Sequence, residues 1–228
     1  AVSLIQFTRR CAELLEKGLE WWRVLLLLTH EAPPTFAALI GQLLPKRDAS
    51  HGWLALWQRM EEYPQTFSPF YRAMVRLGFK ARAMDEAMRS LADLLYEDWR
   101  LVRLTRAYDD RAAHIIDHGA PPAAAWTALT PLQRKIVTVL FCRAAASLLA
   151  AGHEVEEAMG VCALLLPAAA RAALQTAARD GLADLPAALA GLPCFPPFVL
   201  TLLTRGHQRG RVEFAFDQAA TVLAQETV

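Results

Sequence analysis

Apolar residues recur every three or four positions along most of the chain, and this spacing is typical of α-helices. In the first segment the apolar positions that would share one helix face are Leu4, Phe7, Cys11, Leu14 and Leu15. Gly18 follows them at the place where a residue in the left-handed conformation would end the helix. No stretch shows the strict alternation of a half-buried strand. The pattern therefore predicts an all-α protein.

Proline and glycine divide the rest of the chain into short helices. Proline lacks the amide that the first turn of a helix leaves unpaired, so Pro34, Pro69 and Pro131 are predicted helix starts. Gly78 is predicted to close the helix that Pro69 begins, and Gly206 to close a later counterpart. Counting between these positions predicts about six short helices in each half of the chain.

Two phrases of the sequence occur twice, in the same order. The stretch from Phe to Gly at 7–18 matches 141–152, and the stretch at 67–78 matches 195–206 with a slightly smaller offset. Ordered matches predict a tandem duplication; chance resemblance between leucine-rich helices is the alternative. The prediction is two tandem six-helix bundles, residues 1–96 and 131–228, joined by a charged helix extension and linker at 97–130. The positions that define the repeat are Phe7, Gly18, Phe67, Gly78, Phe141, Gly152, Phe195 and Gly206.

Composition narrows the function classes. Of the 228 residues, 54% are hydrophobic and 21% charged, which is enough to build a buried core. The formal net charge of +1 argues against a dedicated nucleic-acid binder, which would carry a basic face. The 4 cysteines form no CxxC pair, so buried free thiols in a reducing compartment are expected. The apolar run at 21–28 contains Arg23 and is too short to span a membrane.

Motifs for catalysis are missing from the sequence, so no enzyme activity and no cofactor are predicted. There is no GxxxxGK[ST] phosphate loop and no GxSxG nucleophile elbow. One metal-like cluster exists: His114 and His118 would share a helix face, with Asp117 beside them. The cluster adjoins a linker and lacks the glutamate of an HExxH site. A solvated helix end is therefore the preferred interpretation, and a metal site is the weaker one.

Aromatic and basic residues in the first half supply candidates for partner binding. Trp21 and Trp22 are adjacent and cannot both face the same core, so one of them is a candidate interface anchor. Core packing is the alternative for each tryptophan. A basic helix face is formed at close to helical spacing by Arg72, Arg76, Lys80 and Arg82. This face is either simply solvated or docks to an acidic partner or to anionic lipid headgroups.

The repeated phrases resemble the type II secretion system F domain. The first helix of that family is matched by FTRRCAELLEKGL and FCRAAASLLAAGH, and its proline-rich middle by DGLADLPAALAGLPCFPPF. Its closing motif is matched by MVRLGFKARAMDEAM and LLTRGHQRGRVEFAF. The acidic residue that usually follows the motif glycine is Phe79 in one copy and His207 in the other. Family members carry membrane spans between domains, whereas the charged segment 108–130 is not expected to span a bilayer.

The resemblance implies a non-enzymatic platform or adaptor protein of a type II secretion or type IV pilus machine. Such a protein binds the assembly ATPase and other inner-membrane components, and it self-associates through its helical domains. The expected location is the cytoplasmic face of the bacterial inner membrane, with peripheral membrane contact. The alternatives are an unrelated helical scaffold, or a metal-binding protein that uses the cluster at 114–118.

Overall fold

The computed structural model describes residues 2–44, 54–105, 129–179 and 184–226, together with Ile116 and Thr127. Within these residues the regular structure consists of α-helices and one short 3₁₀ helix, with no strand. The all-α prediction is confirmed for this part of the chain. None of its helices is both long enough and apolar enough to cross a membrane.

The chain divides into two compact units, Ala1–Tyr96 and Glu97–Val228, and the division falls within the sixth helix. The first six helices are α1 (Val2–Glu16), α2 (Trp21–Glu31), α3 (Pro34–Leu43), α4 (Leu54–Glu61), α5 (Pro69–Lys80) and α6 (Met84–Thr105). The remaining six are α7 (Pro131–Ala150), α8 (Val155–Cys162), α9 (Ala168–Arg179), α10 (Leu185–Ala190), α11 (Pro197–Gln208) and α12 (Val212–Gln225). The 3₁₀ helix, Ala163–Leu165, directly follows α8.

The predicted helix boundaries are confirmed at several prolines and at two glycines. Pro34, Pro69 and Pro131 each occupy the first turn of a helix. Gly18 follows α1 with φ +77°, and Gly152 follows α7 with φ +81°. Both are in the left-handed region that favours glycine, and the amide of each donates a hydrogen bond to the carbonyl three residues earlier.

The prediction that Gly78 and Gly206 close their helices is wrong. α5 continues to Lys80 and α11 to Gln208, so both glycines are helical. A Cβ on Gly78 would lie 2.3 Å from Cβ of Ala87, and one on Gly206 would lie 2.4 Å from Cβ of Ala215. These glycines therefore allow α5 to approach α6, and α11 to approach α12, more closely than any side chain would permit.

In the first unit, α1 is amphipathic, as its sequence predicts. Leu4, Phe7, Cys11 and Leu14 are buried, and the Phe7 ring meets the Phe36 ring edge-on at 5.5 Å. Thr8 is also buried; its hydroxyl donates to the carbonyl of Leu4 at 2.7 Å. The same hydroxyl lies 3.0 Å from the Tyr71 hydroxyl on α5, which fixes α1 against α5.

In the second unit, the matching helix α7 is buried on all sides over its middle. Every residue from Ile136 to Cys142 is at most 2% exposed. Phe141 packs edge-on against Phe195, with ring centroids 5.0 Å apart, and against Phe216. α7 is thus a central helix, whereas α1 keeps one face towards solvent.

All four cysteines, Cys11, Cys142, Cys162 and Cys194, are buried free thiols, as predicted. Burial raises the pKa of each thiol above its usual range, and that of Cys194 to about 12. Because the thiolate is the reactive form, these side chains behave as apolar core residues.

Candidate functional site

The outward side of α2 exposes three large apolar residues. Trp22, Leu26 and Leu27 are 38%, 44% and 42% exposed, and they are hereafter called the α2 face. The inward side of the same helix is buried and consists of Trp21, Val24, Leu25 and Leu28. Large apolar residues clustered on an exposed surface are typical of interaction sites.

The two adjacent tryptophans point in different directions, as the sequence predicts. Trp21 is only 9% exposed and belongs to the core, so it is not available to a partner. The indole nitrogen of Trp22 donates a hydrogen bond to the Glu20 carboxylate at 2.9 Å. The guanidinium of Arg23 lies 5.1 Å from the Trp22 ring centroid. Polar neighbours therefore orient the Trp22 ring while its apolar surface stays accessible.

The matching helix in the second unit, α8, also has buried apolar residues on its inward side, but the residues on its outward side are different. The buried residues Val24, Leu25 and Leu28 match the buried residues Ala158, Met159 and Cys162. By contrast, the α2 face matches Glu156, Gly160 and Val161, of which the first is exposed and the last buried. The bundle thus does not require the exposed apolar residues of α2 for its packing.

The predicted basic face lies on α5 and its exit. Arg76, Lys80 and Arg82 are exposed, and Arg72 is partly buried. The spacing of Arg72, Arg76 and Lys80 places them on one side of the helix, opposite the buried residues of α5. Arg82 has φ +57°, an unfavourable conformation for a residue other than glycine. Arg72, Arg76 and Lys80 thus share one side of α5, and Arg82 lies in the turn that follows this helix.

A groove of about 300 Å³ lies between α1, the end of α2 and the start of α3. Its apolar residues are Phe7, Leu28, Ala32, Pro33, Phe36 and Ile40, and its polar residues are Ser3, Gln6, Arg9, Arg10, Glu13 and Glu31. The corresponding positions in the second unit include five buried apolar residues: Val137, Leu140, Ala144, Leu165 and Leu166. At these matching positions, the described residues of the second unit are therefore packed and apolar where the first unit has an open, charged groove.

An ion pair that the sequence pattern does not predict crosses this groove. The Arg10 guanidinium donates to both carboxylate oxygens of Glu31, at 3.0 and 3.3 Å, and to Glu13 at 2.9 Å. The hydrogen bonds from Arg10 lower the pKa of Glu31, and those to the two carboxylates raise the pKa of Arg10. The pair connects α1 to the end of α2, beside the α2 face.

The described residues contain no group of three side chains placed to hold a metal ion. The candidate cluster of His114, Asp117 and His118 lies outside the described residues. The metal-site hypothesis stays a prediction.

No protein-family model matches the chain, and no curated protein matches it either.

Proposed function

We propose that this chain is a non-enzymatic platform or adaptor protein of a type II secretion or type IV pilus assembly machine. In this proposal the two units are tandem F-like bundles of six helices. They bind the assembly ATPase and other inner-membrane components at the cytoplasmic face of the membrane. The family assignment is supported by the repeated sequence motifs, and the binding role is supported by the α2 face.

The repeated packing supports a duplicated bundle. The pairs Gly78–Ala87 and Gly206–Ala215 occupy matching positions and make the same close helix contact in each unit. Gly18 and Gly152 likewise end matching helices in the same backbone conformation. Two similar bundles in one chain give two similar scaffolds whose outward surfaces can bind different partners.

The α2 face is the single observation that favours a binding role. Tryptophan is enriched among interface hot spots, because the indole buries a large area with little loss of conformational entropy. The matched helix α8 folds without such residues. Since the bundle does not need them outward, we infer that they serve a contact with another protein.

The test measures the mass of the full chain by light scattering, alone and mixed with the assembly ATPase of a type II secretion or type IV pilus machine. The double variant Trp22→Ala/Leu26→Ala is expected to weaken the complex at least about tenfold, since hot-spot truncations cost about 2 kcal/mol or more. Glu156→Ala, on the matching position of α8, is the control and is expected to leave affinity unchanged.

The basic face is tested separately by reversing charge at Arg72 and Arg76. If this face is at the contact, the charge reversal should weaken ATPase binding, and the loss of affinity should be larger at low salt than at high salt, since salt screens exposed charge pairs. A wild-type chain that forms no complex with the ATPase at high micromolar concentration would contradict the proposal and favour an unrelated helical scaffold.

A further inference from the structure

A pocket of about 260 Å³ lies in the second unit where α11 meets the start of α12. Three arginines line it, Arg205, Arg209 and Arg211, and so does Phe214, which is 54% exposed. No carboxylate is among the lining residues, which are completed by Leu202, Gly206, Ala215 and Gln218.

Two helices bring the arginines together. Arg205 lies in the last turn of α11, and Arg209 is the C-cap residue that follows the helix. The two are four residues apart and therefore share a side. Arg211 is the N-cap residue of α12 and forms no side-chain capping bond. The close approach of α11 and α12 at Gly206 and Ala215 brings the side chains of the two helices to one pocket.

The charge of this pocket is not balanced by the described part of the chain. None of Arg205, Arg209 and Arg211 forms an ion pair with a described carboxylate, whereas Arg10, Arg89 and Arg143 each do. Glu213 lies in the first turn of α12 but does not line the pocket. Three guanidinium groups on one pocket repel each other, and an anion would relieve this repulsion.

The matching corner of the first unit shows that the bundle does not need these arginines. The residues that match Arg205, Arg209 and Arg211 are Leu77, Ala81 and Ala83, and Phe214 matches Glu86. The same helix junction therefore forms with no arginine at these positions.

We propose that this pocket binds the phosphate group of a ligand. Guanidinium groups bind phosphate through paired hydrogen bonds, and three of them around one pocket favour a phosphate over a singly charged carboxylate. Phe214 supplies an apolar surface for the part of the ligand next to the phosphate. The phosphate belongs either to the headgroup of an anionic lipid or to a soluble phosphomonoester. The site is independent of the proposed platform function.

The experiment uses the full chain and two probes. Glycerol phosphate is titrated by calorimetry, and phosphatidylcholine vesicles with and without phosphatidic acid are tested by co-sedimentation. The triple variant Arg205→Gln/Arg209→Gln/Arg211→Gln is compared with Lys17→Gln/Arg103→Gln/Arg179→Gln, which removes the same charge from exposed positions outside every candidate site. Circular dichroism checks that both variants unfold at the temperature of the wild type.

We expect the pocket variant to lose at least about tenfold in affinity for one probe, while the matched control loses less than about threefold. A loss of affinity for glycerol phosphate in the pocket variant identifies a soluble ligand. Loss with phosphatidic acid vesicles alone, together with weaker vesicle binding by Phe214→Ala, identifies a lipid headgroup. Equal losses in the two triple variants would overturn the proposal in favour of unspecific charge attraction, and so would a wild type that binds neither probe.

Discussion

The first helices of the two units, α1 and α7, share a sequence pattern but have different environments. Phe7 and Phe141 are buried at the matching position, and Gly18 and Gly152 end the helices alike. Around these shared positions, α1 exposes Glu13 to solvent, whereas α7 buries nearly its entire middle. The repeated residues thus specify the helix and its inward contacts, and the remaining positions decide whether a face is open to a partner.

A second contact, made by an arginine, occurs in both units but with different partner side chains. Arg9 on α1 lies 3.9 Å from Asp93 on α6. The matching Arg143 on α7 donates to Thr221 on α12 at 3.1 Å, at the position that matches Asp93, and also pairs with Asp217. An arginine thus reaches from the first helix to the last one in each unit. The arginine makes this contact whether the matching residue carries a carboxylate or a hydroxyl, which supports a common origin of the two units.

The largest effects are expected from filling the two glycine contacts. Gly78→Ala and Gly206→Ala each force apart two helices, because the new Cβ would lie 2.3 or 2.4 Å from an alanine Cβ. Overpacking of this kind lowers the free energy of unfolding by about 1–3 kcal/mol. Chemical denaturation followed by circular dichroism measures the change. A variant with wild-type stability would contradict the close contact.

Compensating variants test whether the two contacts are equivalent. Gly78→Ala/Ala87→Gly moves the methyl group across the contact and is expected to restore most of the stability. Gly206→Ala/Ala215→Gly should restore less, because the new Cβ would still lie 3.0 Å from the backbone carbonyl oxygen of Arg211. Full rescue in both units would show that the junctions are interchangeable.

These glycines also show where sequence reasoning reaches its limit. Apolar spacing correctly predicts the helical face of α1, and the prolines correctly predict the starts of α3, α5 and α7. A glycine near a helix end, however, has the same sequence pattern whether it ends the helix or contacts a neighbour. Only the alanine that packs against it, nine residues further on in each unit, separates the two cases.

The candidate sites likewise include features that local sequence predicts and features that depend on how helices pack. Local sequence predicts that Trp21 and Trp22 face different ways on one helix, and the structure shows that Trp22 is the exposed one. The pair of Arg10 with Glu31 and the pocket around Arg211 each depend on two helices meeting, which helical periodicity alone does not predict. One local feature was missed: Thr130 and Gln133 form a capping box at the start of α7, which the spacing of threonine and glutamine could have revealed.

A smaller change in stability is expected from substituting the residue in the left-handed conformation after α5 and after α11, which differs between the units. The position is Arg82 in one unit, with φ +57°, and Gly210 in the other, with φ +64°. Arg82→Gly is expected to raise the free energy of unfolding by up to about 1 kcal/mol, and Gly210→Ala to lower it by about the same amount. A Cβ on Gly210 would meet nothing within 4 Å, so no steric clash adds to the cost of the backbone conformation. Changes of the same sign in both variants would contradict this account.

Removing the buried hydroxyl pair of Thr8 and Tyr71 in the first unit is expected to change the free energy of unfolding by a similar or smaller amount. Thr8 and Tyr71 match Cys142 and Val199, so the second unit has two buried residues without hydroxyl groups at these positions. Tyr71→Phe is expected to cost about 1 kcal/mol, because Thr8 loses one hydrogen bond but keeps the one to Leu4. Thr8→Val/Tyr71→Phe should cost less than the sum of its single changes, since it leaves no unpaired hydroxyl. Additive costs in this cycle would show that the two hydroxyls do not interact.

The smallest effect concerns the ion pair across the groove, which the second unit replaces with buried apolar residues. Hydrogen bonds from Arg10 hold the pKa of Glu31 below its ordinary value of 4.5. Its stabilisation is therefore fully present above that pH and is lost as the pH falls through the lower, folded-state pKa. Glu31→Gln should reduce stability slightly at neutral pH, with a difference from wild type that vanishes in acid and shrinks in high salt. Glu62→Gln, at an exposed glutamate of the same unit, is the control, and a pH-independent difference for Glu31→Gln would show that the pair does not act through charge.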